Sequence, residues 1–288
     1  MKITKGRVPR ARRVLIYGEN GIGKSSLAAA FPKPIFLNLE DGIGDLDVDS
    51  SDVIKSVTEF TGCLIELANS EYETIVVDTI DWLEKLIFDD VAKEAGKKTI
   101  DDIGFGKGYQ SVELRWKHLF EGFGYLWQQG RHIVFTCHES IEKFTNPEGD
   151  SYNYWRPSLH LKGSGCVTEW MDEVFFLRYR TSTLTKDEGF GAKRAVAVGG
   201  KERYMATTKS AAYEAKNRLG LPDELQPTFE ALRPYMPPVK FTGSTKNTEP
   251  AMAKPAGNIA GVVVDGSSKK RSVESDVAVK ALVADAPF

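Results

Sequence analysis

The stretch "GENGIGKSS" (18–26) constrains this chain more than any other. It fits G-x-x-x-x-G-K-[ST] at Gly18, Gly23, Lys24 and Ser25. "RRVLIYG" (12–18) before it has the pattern of a short buried strand, and "KSSLAAAF" (24–31) opens a helical one. Strand, glycine-rich loop and helix in that order are what a bound phosphate requires. Several backbone N–H groups must converge on its oxygens, and the start of a helix adds partial positive charge. The expected cradle is Gly18, Glu19, Asn20, Gly21, Ile22, Gly23, Lys24, Ser25 and Ser26. Lys24 is expected on the β and γ phosphates and Ser25 on Mg²⁺. A glycine-rich turn that fits the pattern by accident is the competing reading, and it leaves the two flanks unexplained.

The rest of the chain alternates strand and helix patterns. "PIFLNLE" (34–40), "YETIVVD" (72–78) and "HIVFTCH" (132–138) read as buried strands ending on Glu40, Asp78 and His138. Helical spacing marks 56–70, 80–96 and a long segment through 113–130, with a shorter helix near 165–171. "DEVFFLRYR" (172–180), "AKRAVAV" (192–198) and "RYMATTK" (203–209) read as strands, and "AAYEAKNRLG" (211–220) as a helix. This order predicts an α/β fold, a mainly parallel sheet covered by helices with antiparallel strands toward the C-terminus. Ligands of such sheets sit at the carboxyl ends of the strands, which gathers Glu40, Asp78 and His138 beside the phosphates.

Composition divides the chain. From residue 237 it is rich in Pro, Gly, Ser, Thr and Lys and nearly free of aromatics, which predicts a disordered tail over 237–288. Residues 1–10 are expected to form a basic arm and 11–236 a single α/β domain. Residues 1–13 carry six basic side chains and no acidic one, against a net charge of −2 for all 288 residues. Such an arm suits phosphate backbones, and it equally suits a frayed, solvated terminus. Cys63, Cys137 and Cys166 share no metal-ligand spacing, which fits a reducing cytoplasm, and no apolar run is long enough to span a membrane.

The ordered set "GENGIGKSS", "FLNLEDG", "TIVVDTIDWL", "GFGKGY", "FTCHE" and "AKNRLG" spans roughly residues 14–220. It resembles the RecA-like P-loop NTPase core, and more closely the phage-encoded AAA-type proteins of the Sak group, RecA relatives of single-strand annealing and recombination. The resemblance implies an ATPase with ATP and Mg²⁺ as cofactors. It makes Asp78 the carboxylate that supports the metal, Glu40 the one that polarises the attacking water, and His138 the polar residue that senses the γ-phosphate. A turn-capping role for Glu40 and a plain hydrogen-bonding role for His138 stand beside these. Lys216 and Arg218 resemble cations that reach a neighbour's nucleotide, which implies self-association with nucleotide at the interface; a solvated basic helix end is the alternative.

The resemblance also implies single-stranded DNA as a partner through two loops, 101–110 with Phe105, Lys107 and Tyr109, and 146–165 with Tyr152, Tyr154, Trp155, Arg156 and Lys162. Cations for phosphates and aromatic faces for bases are the chemistry such binding needs. Packing of Trp155 on the core competes with stacking. The final "ADAPF" is similar to the tip of bacterial single-strand binding proteins, with Asp285 and Phe288 as docking groups, or is a chance ending of an unconstrained tail. The alternatives to a DNA-stimulated ATPase are a nucleotide-switched oligomeric adaptor that recruits a DNA-processing partner and, third, a P-loop kinase. The acidity of the chain outside its arm counts against DNA.

Overall fold

The computed structural model describes residues 5–6, 8–104, 106–147, 149–187 and 193–242, without the side chains of 161–162 and 182–199. These residues belong to one compact unit, Met1–Gly243. Of the expected 237–288 tail the part from 243 on, with Asp285 and Phe288, falls outside the described residues, as do Phe105, the Lys162 side chain and residues 1–4 and 7 of the arm.

In chain order the elements are β1 (Arg13–Gly18), α1 (Lys24–Ala29), β2 (Pro34–Asn38), β3 (Asp49–Ser50), α2 (Val57–Leu67), β4 (Thr74–Asp78), α3 (Ile80–Glu94), α4 (Lys107–Gln128), β5 (His132–Phe144), β6 (Tyr152–Pro157), α5 (Leu161–Trp170), β7 (Glu173–Asp187), β8 (Lys193–Ala206), β9 (Lys216–Asn217), β10 (Glu224–Leu225) and α6 (Phe229–Leu232). The strand order is β10-β8-β7-β1-β5-β4-β2-β3. From β7 to β3 every pairing is parallel, and β8 and β10 extend the sheet antiparallel. Counting β1, β2, β4, β5 and β7 as first to fifth, the core reads 5-1-4-3-2, a RecA-like P-loop arrangement.

Apolar side chains cover both faces of the central strands, as a buried parallel sheet demands. Leu15 and Tyr17 of β1 point into one layer with Phe60, Leu83, Trp116 and Phe123 of α2, α3 and α4. Val14 and Ile16 point into the other with Leu27, Phe229 and Leu232 of α1 and α6. In α4 the buried Val112, Trp116, Leu119, Phe123 and Leu126 recur every three or four residues, so one stripe of the helix faces the sheet.

Several sequence expectations are corrected. The strand through His138 continues to Phe144: β5 leaves the parallel sheet and pairs antiparallel with β6, Glu139 opposite Pro157 and Phe144 opposite Tyr152. Glu40 lies two residues beyond the end of β2, in a bend. Residues 193–198 and 203–206 of the two expected runs are parts of one strand, β8, and 207–209 lie beyond its end. Residues 211–220 are not a helix. Asn217 Oδ1 accepts the N–H groups of Gly220 and Leu221, and its side-chain amide donates to the Leu221 carbonyl, so a side-chain-bonded turn replaces helical bonding. Lys216 and Asn217 pair with the start of β7. The loop expected over 101–110 is shorter, because α4 already begins at Lys107.

Candidate nucleotide site

Gly18 ends β1 close against β7, where a Cβ would run into the Leu177 carbonyl. Gly23 precedes α1 with φ 106° and ψ 26°, a left-handed conformation that side chains disfavour. A Cβ there would also sit 2.6 Å from Arg203 Nη1, which donates to the Ile22 carbonyl at 2.9 Å. Both glycines therefore shape the cradle.

Lys24 is buried, and its ammonium turns back onto its own loop, donating to the carbonyls of Gly18 (3.1 Å) and Glu19 (3.0 Å). Burial lowers its pKa, opposed by the charges of Asp78, Asp81 and Glu40 among others. Ser25 Oγ donates to Asp78 Oδ2 at 2.9 Å, and the Thr136 hydroxyl donates to Asp78 Oδ1. The hydroxyl at the helix start and the carboxylate ending β4 are thus adjacent. Hard oxygen donors so placed fit Mg²⁺, which is commonly held by one or two protein oxygens together with phosphates and water.

Glu40 and His138 meet on the same edge. Glu40 Oε1 lies 3.7 Å from His138 Nε2, and Glu40 Oε2 accepts from the Thr79 hydroxyl at 3.3 Å. On its other side the His138 ring places Nδ1 2.9 Å from Asp81 Oδ2, and the His138 backbone N–H donates to Asp81 Oδ1 at 3.3 Å. The bond with Asp81 raises the His138 pKa, against the effect of burial. Burial alone would raise Asp81, yet its bonds from His138 and Thr79 carry it below the usual carboxylate range.

Lys24, Ser25, Asp78, Glu40 and His138 therefore gather at one end of the sheet. Lys216 and Arg218 do not join them. They stand by the start of β7, where Glu173 lies opposite Val14, four residues and so about 13 Å along the strand from Gly18 at ~3.3 Å per residue. Lys216 Nζ donates to the carbonyls of Thr168 (2.9 Å), Glu169 (2.9 Å) and Met171 (2.6 Å) at the end of α5. Arg218 Nη1 bonds Asp172 Oδ1 at 3.0 Å, with half of its side chain exposed.

Sequence reasoning missed Asp81, Thr79, Thr136 and Arg203. Asp81 had a signal: it falls three residues after Asp78, on the first turn of the following helix. Arg203 had none, because β8 brings it to the loop from 181 residues away.

Beyond His138 the β5–β6 hairpin borders a cavity of about 650 Å³ lined in part by Phe144, Tyr152, Tyr154, Arg156 and Lys209. Phe144 is 45% exposed, whereas Tyr154 donates to Glu214 at 2.7 Å. Trp155 packs beside Phe176 beneath the Arg178 guanidinium. Tyr109 stacks on His160 with ring centres 4.2 Å apart, and Lys107 is exposed. Among the described residues no helix is long and apolar enough to cross a membrane.

The model of the AAA_24 family, described as an AAA domain, matches residues 10–219. The SPbeta prophage-derived uncharacterized protein YorG of Bacillus subtilis (strain 168) is 26% identical over 147 residues. That match covers 48% of this chain and 44% of YorG, so the chain spans less than half of that relative. Among solved structures, a KaiC-like protein of Pyrococcus horikoshii OT3 aligns with TM-score 0.35 and 13% identity over 68% of this chain and 86% of its own. The flagellar accessory protein FlaH from Methanocaldococcus jannaschii aligns with TM-score 0.33 and 12% identity over 73% of this chain and 88% of its own.

Proposed function

The chain belongs to the AAA_24 family of AAA domains, and from that premise we propose that it is a Mg²⁺-dependent ATPase acting on single-stranded DNA in phage recombination or annealing, as the Sak-group proteins do. The observation that carries the reading is the meeting of Ser25, Asp78, Glu40 and His138 at the phosphate loop. The loop's N–H groups and Lys24 bind the triphosphate, Lys24 exchanging its carbonyl partners for phosphate oxygens. Ser25 and Asp78 would hold Mg²⁺, which would supply neutralisation of phosphate charge. Glu40 orients the attacking water. His138 stands beside Glu40 at the point where β5 becomes the hairpin, so a change at the γ-phosphate reaches the hairpin through it.

The DNA part of the reading draws support from the cavity beside that hairpin, where aromatic rings and cations lie together. The prophage origin of YorG agrees with a phage role. Arg218, too far from its own phosphate loop, acts on the nucleotide of a second copy, and the working unit is an oligomer.

Steady-state ATP hydrolysis with and without an oligo-dT strand tests the proposal, with Lys24→Ala as blank and a salt series. The expected result is stimulation by the strand that fades with salt and is absent in the blank. Glu40→Gln should keep nucleotide affinity while turnover falls about 10²- to 10³-fold. Slow turnover indifferent to DNA would favour the nucleotide-switched adaptor instead.

A further inference from the structure

His138 is gripped at two points by one carboxylate. Asp81 takes its backbone N–H at 3.3 Å and faces its Nδ1 at 2.9 Å, from a position 8% exposed on the first turn of α3. The backbone contact fixes where β5 passes, and the ring contact fixes how the imidazole is turned about its bond to that backbone. With Nδ1 committed to a carboxylate, the neutral ring carries its proton there and leaves Nε2 as a lone pair; the charged ring presents Nε2–H. Nε2 then faces Glu40 Oε1 at 3.7 Å. Glu40 is itself tied to Thr79, which lies between Asp78 and α3, so the contacts close a ring: Asp78–Thr79, Glu40, His138, Asp81 and back along α3. The charged groups that act on the imidazole come from three elements: Asp81 on α3, Glu40 after β2 and Lys24 on α1.

We infer that Asp81 is a positioning residue of this site: it holds the His138 ring with Nδ1 toward α3 and Nε2 toward Glu40 and the phosphate pocket. Its consequence for turnover rests on the ATPase reading, whereas the ring orientation does not. Asp81 also satisfies a bland role, a carboxylate near a helix N-terminus, and that role alone leaves the imidazole untouched.

The test separates these on the full-length chain. Long-range ¹⁵N–¹H correlation spectra at alkaline pH report which ring nitrogen carries the proton, with His138 assigned through His138→Gln. The wild type is expected to show the Nδ1–H form, and Asp81→Asn, whose amide can also donate, a mixture or the Nε2–H form. In hydrolysis assays Asp81→Asn should lower kcat about 10- to 100-fold with the KM for ATP within about two-fold. His138→Gln with and without Asp81→Asn should differ little, because the second change then has nothing to orient. An imidazole spectrum identical in wild type and Asp81→Asn overturns the inference whether or not the protein hydrolyses ATP. A shifted tautomer with unchanged kcat overturns the role in turnover. A wild type without turnover sinks the ATPase reading alone, since the tautomer still reads out Asp81.

Discussion

The hydroxyl of Ser25 donates to Asp78 Oδ2 across 2.9 Å, joining two residues 53 apart in sequence at the carboxyl edge of the sheet. The parallel register makes this possible. β4 and β1 flank β5, so the loop after β1 and the last residue of β4 emerge on the same side. The Thr136 hydroxyl holds the other oxygen of Asp78, so the carboxylate is fixed before any ion arrives.

Metal dependence follows from that pair. Ser25→Ala removes one oxygen donor, and Asp78→Asn removes the negative charge behind it. Each should raise the Mg²⁺ concentration for half-maximal turnover about 10- to 100-fold. A Mg²⁺ titration of hydrolysis checks this, with circular dichroism to establish folding. Equal Mg²⁺ curves for wild type and both variants would remove the pair from the metal site.

Much of this site was legible in the sequence, because its residues lie where local pattern and topology agree. The loop 18–26 is a continuous motif, and Asp78 ends a β-branched run whose direction the βα alternation fixes. What escaped reading depends on contacts that periodicity does not encode. The strand at 132–138 has no stop signal that distinguishes leaving the sheet from ending, so the extension to Phe144 was invisible. Residues 211–220 carry helix-forming Ala, Glu, Lys and Leu, yet side-chain bonds from Asn217 and backbone pairing with β7 overrode that propensity. Arg203 reaches Ile22 only because β8 runs antiparallel beside β7.

Lys216 illustrates how a motif residue can be spent on structure. Its ammonium donates to three carbonyls at the end of α5, groups that no helical N–H can reach. Burial lowers its pKa, and proximity to Arg218 adds to that. Lys216→Met should therefore destabilise the fold by about 1–2 kcal/mol, through lost charge-assisted bonds and lost interaction with the helix dipole. Chemical denaturation measures it. Turnover per folded molecule should stay within about three-fold, against the 10³-fold or greater loss expected of a trans-acting cation. A large loss of turnover at unchanged stability would return Lys216 to the mechanism.

The last prediction concerns Glu84, one turn beyond Asp81 on α3. Its Oε2 accepts the backbone N–H of His160 at 2.8 Å, holding the start of α5, while Oε1 is buried against Gly163 beside the Trp116 indole. Burial raises its pKa from 4.5 to about 7, with the His160 bond working in the opposite direction. The folded state therefore binds this proton more tightly than the unfolded chain does. Between pH 4.5 and about 7 the folded protein holds more protons, so the Glu84 contribution is fully present below pH 4.5 and lost as pH rises through about 7. The loss is on the order of 3 kcal/mol by the linkage relation. Glu84→Gln keeps an acceptor for His160 and removes the titration. Its stability relative to wild type, from urea denaturation, should rise between pH 5 and pH 8 by roughly that amount. Glu173, also raised by burial to about 7, titrates in both proteins and cancels in the difference. A gap between wild type and Glu84→Gln that is constant with pH would mean that the carboxyl is already ionised, or already neutral, across the whole range.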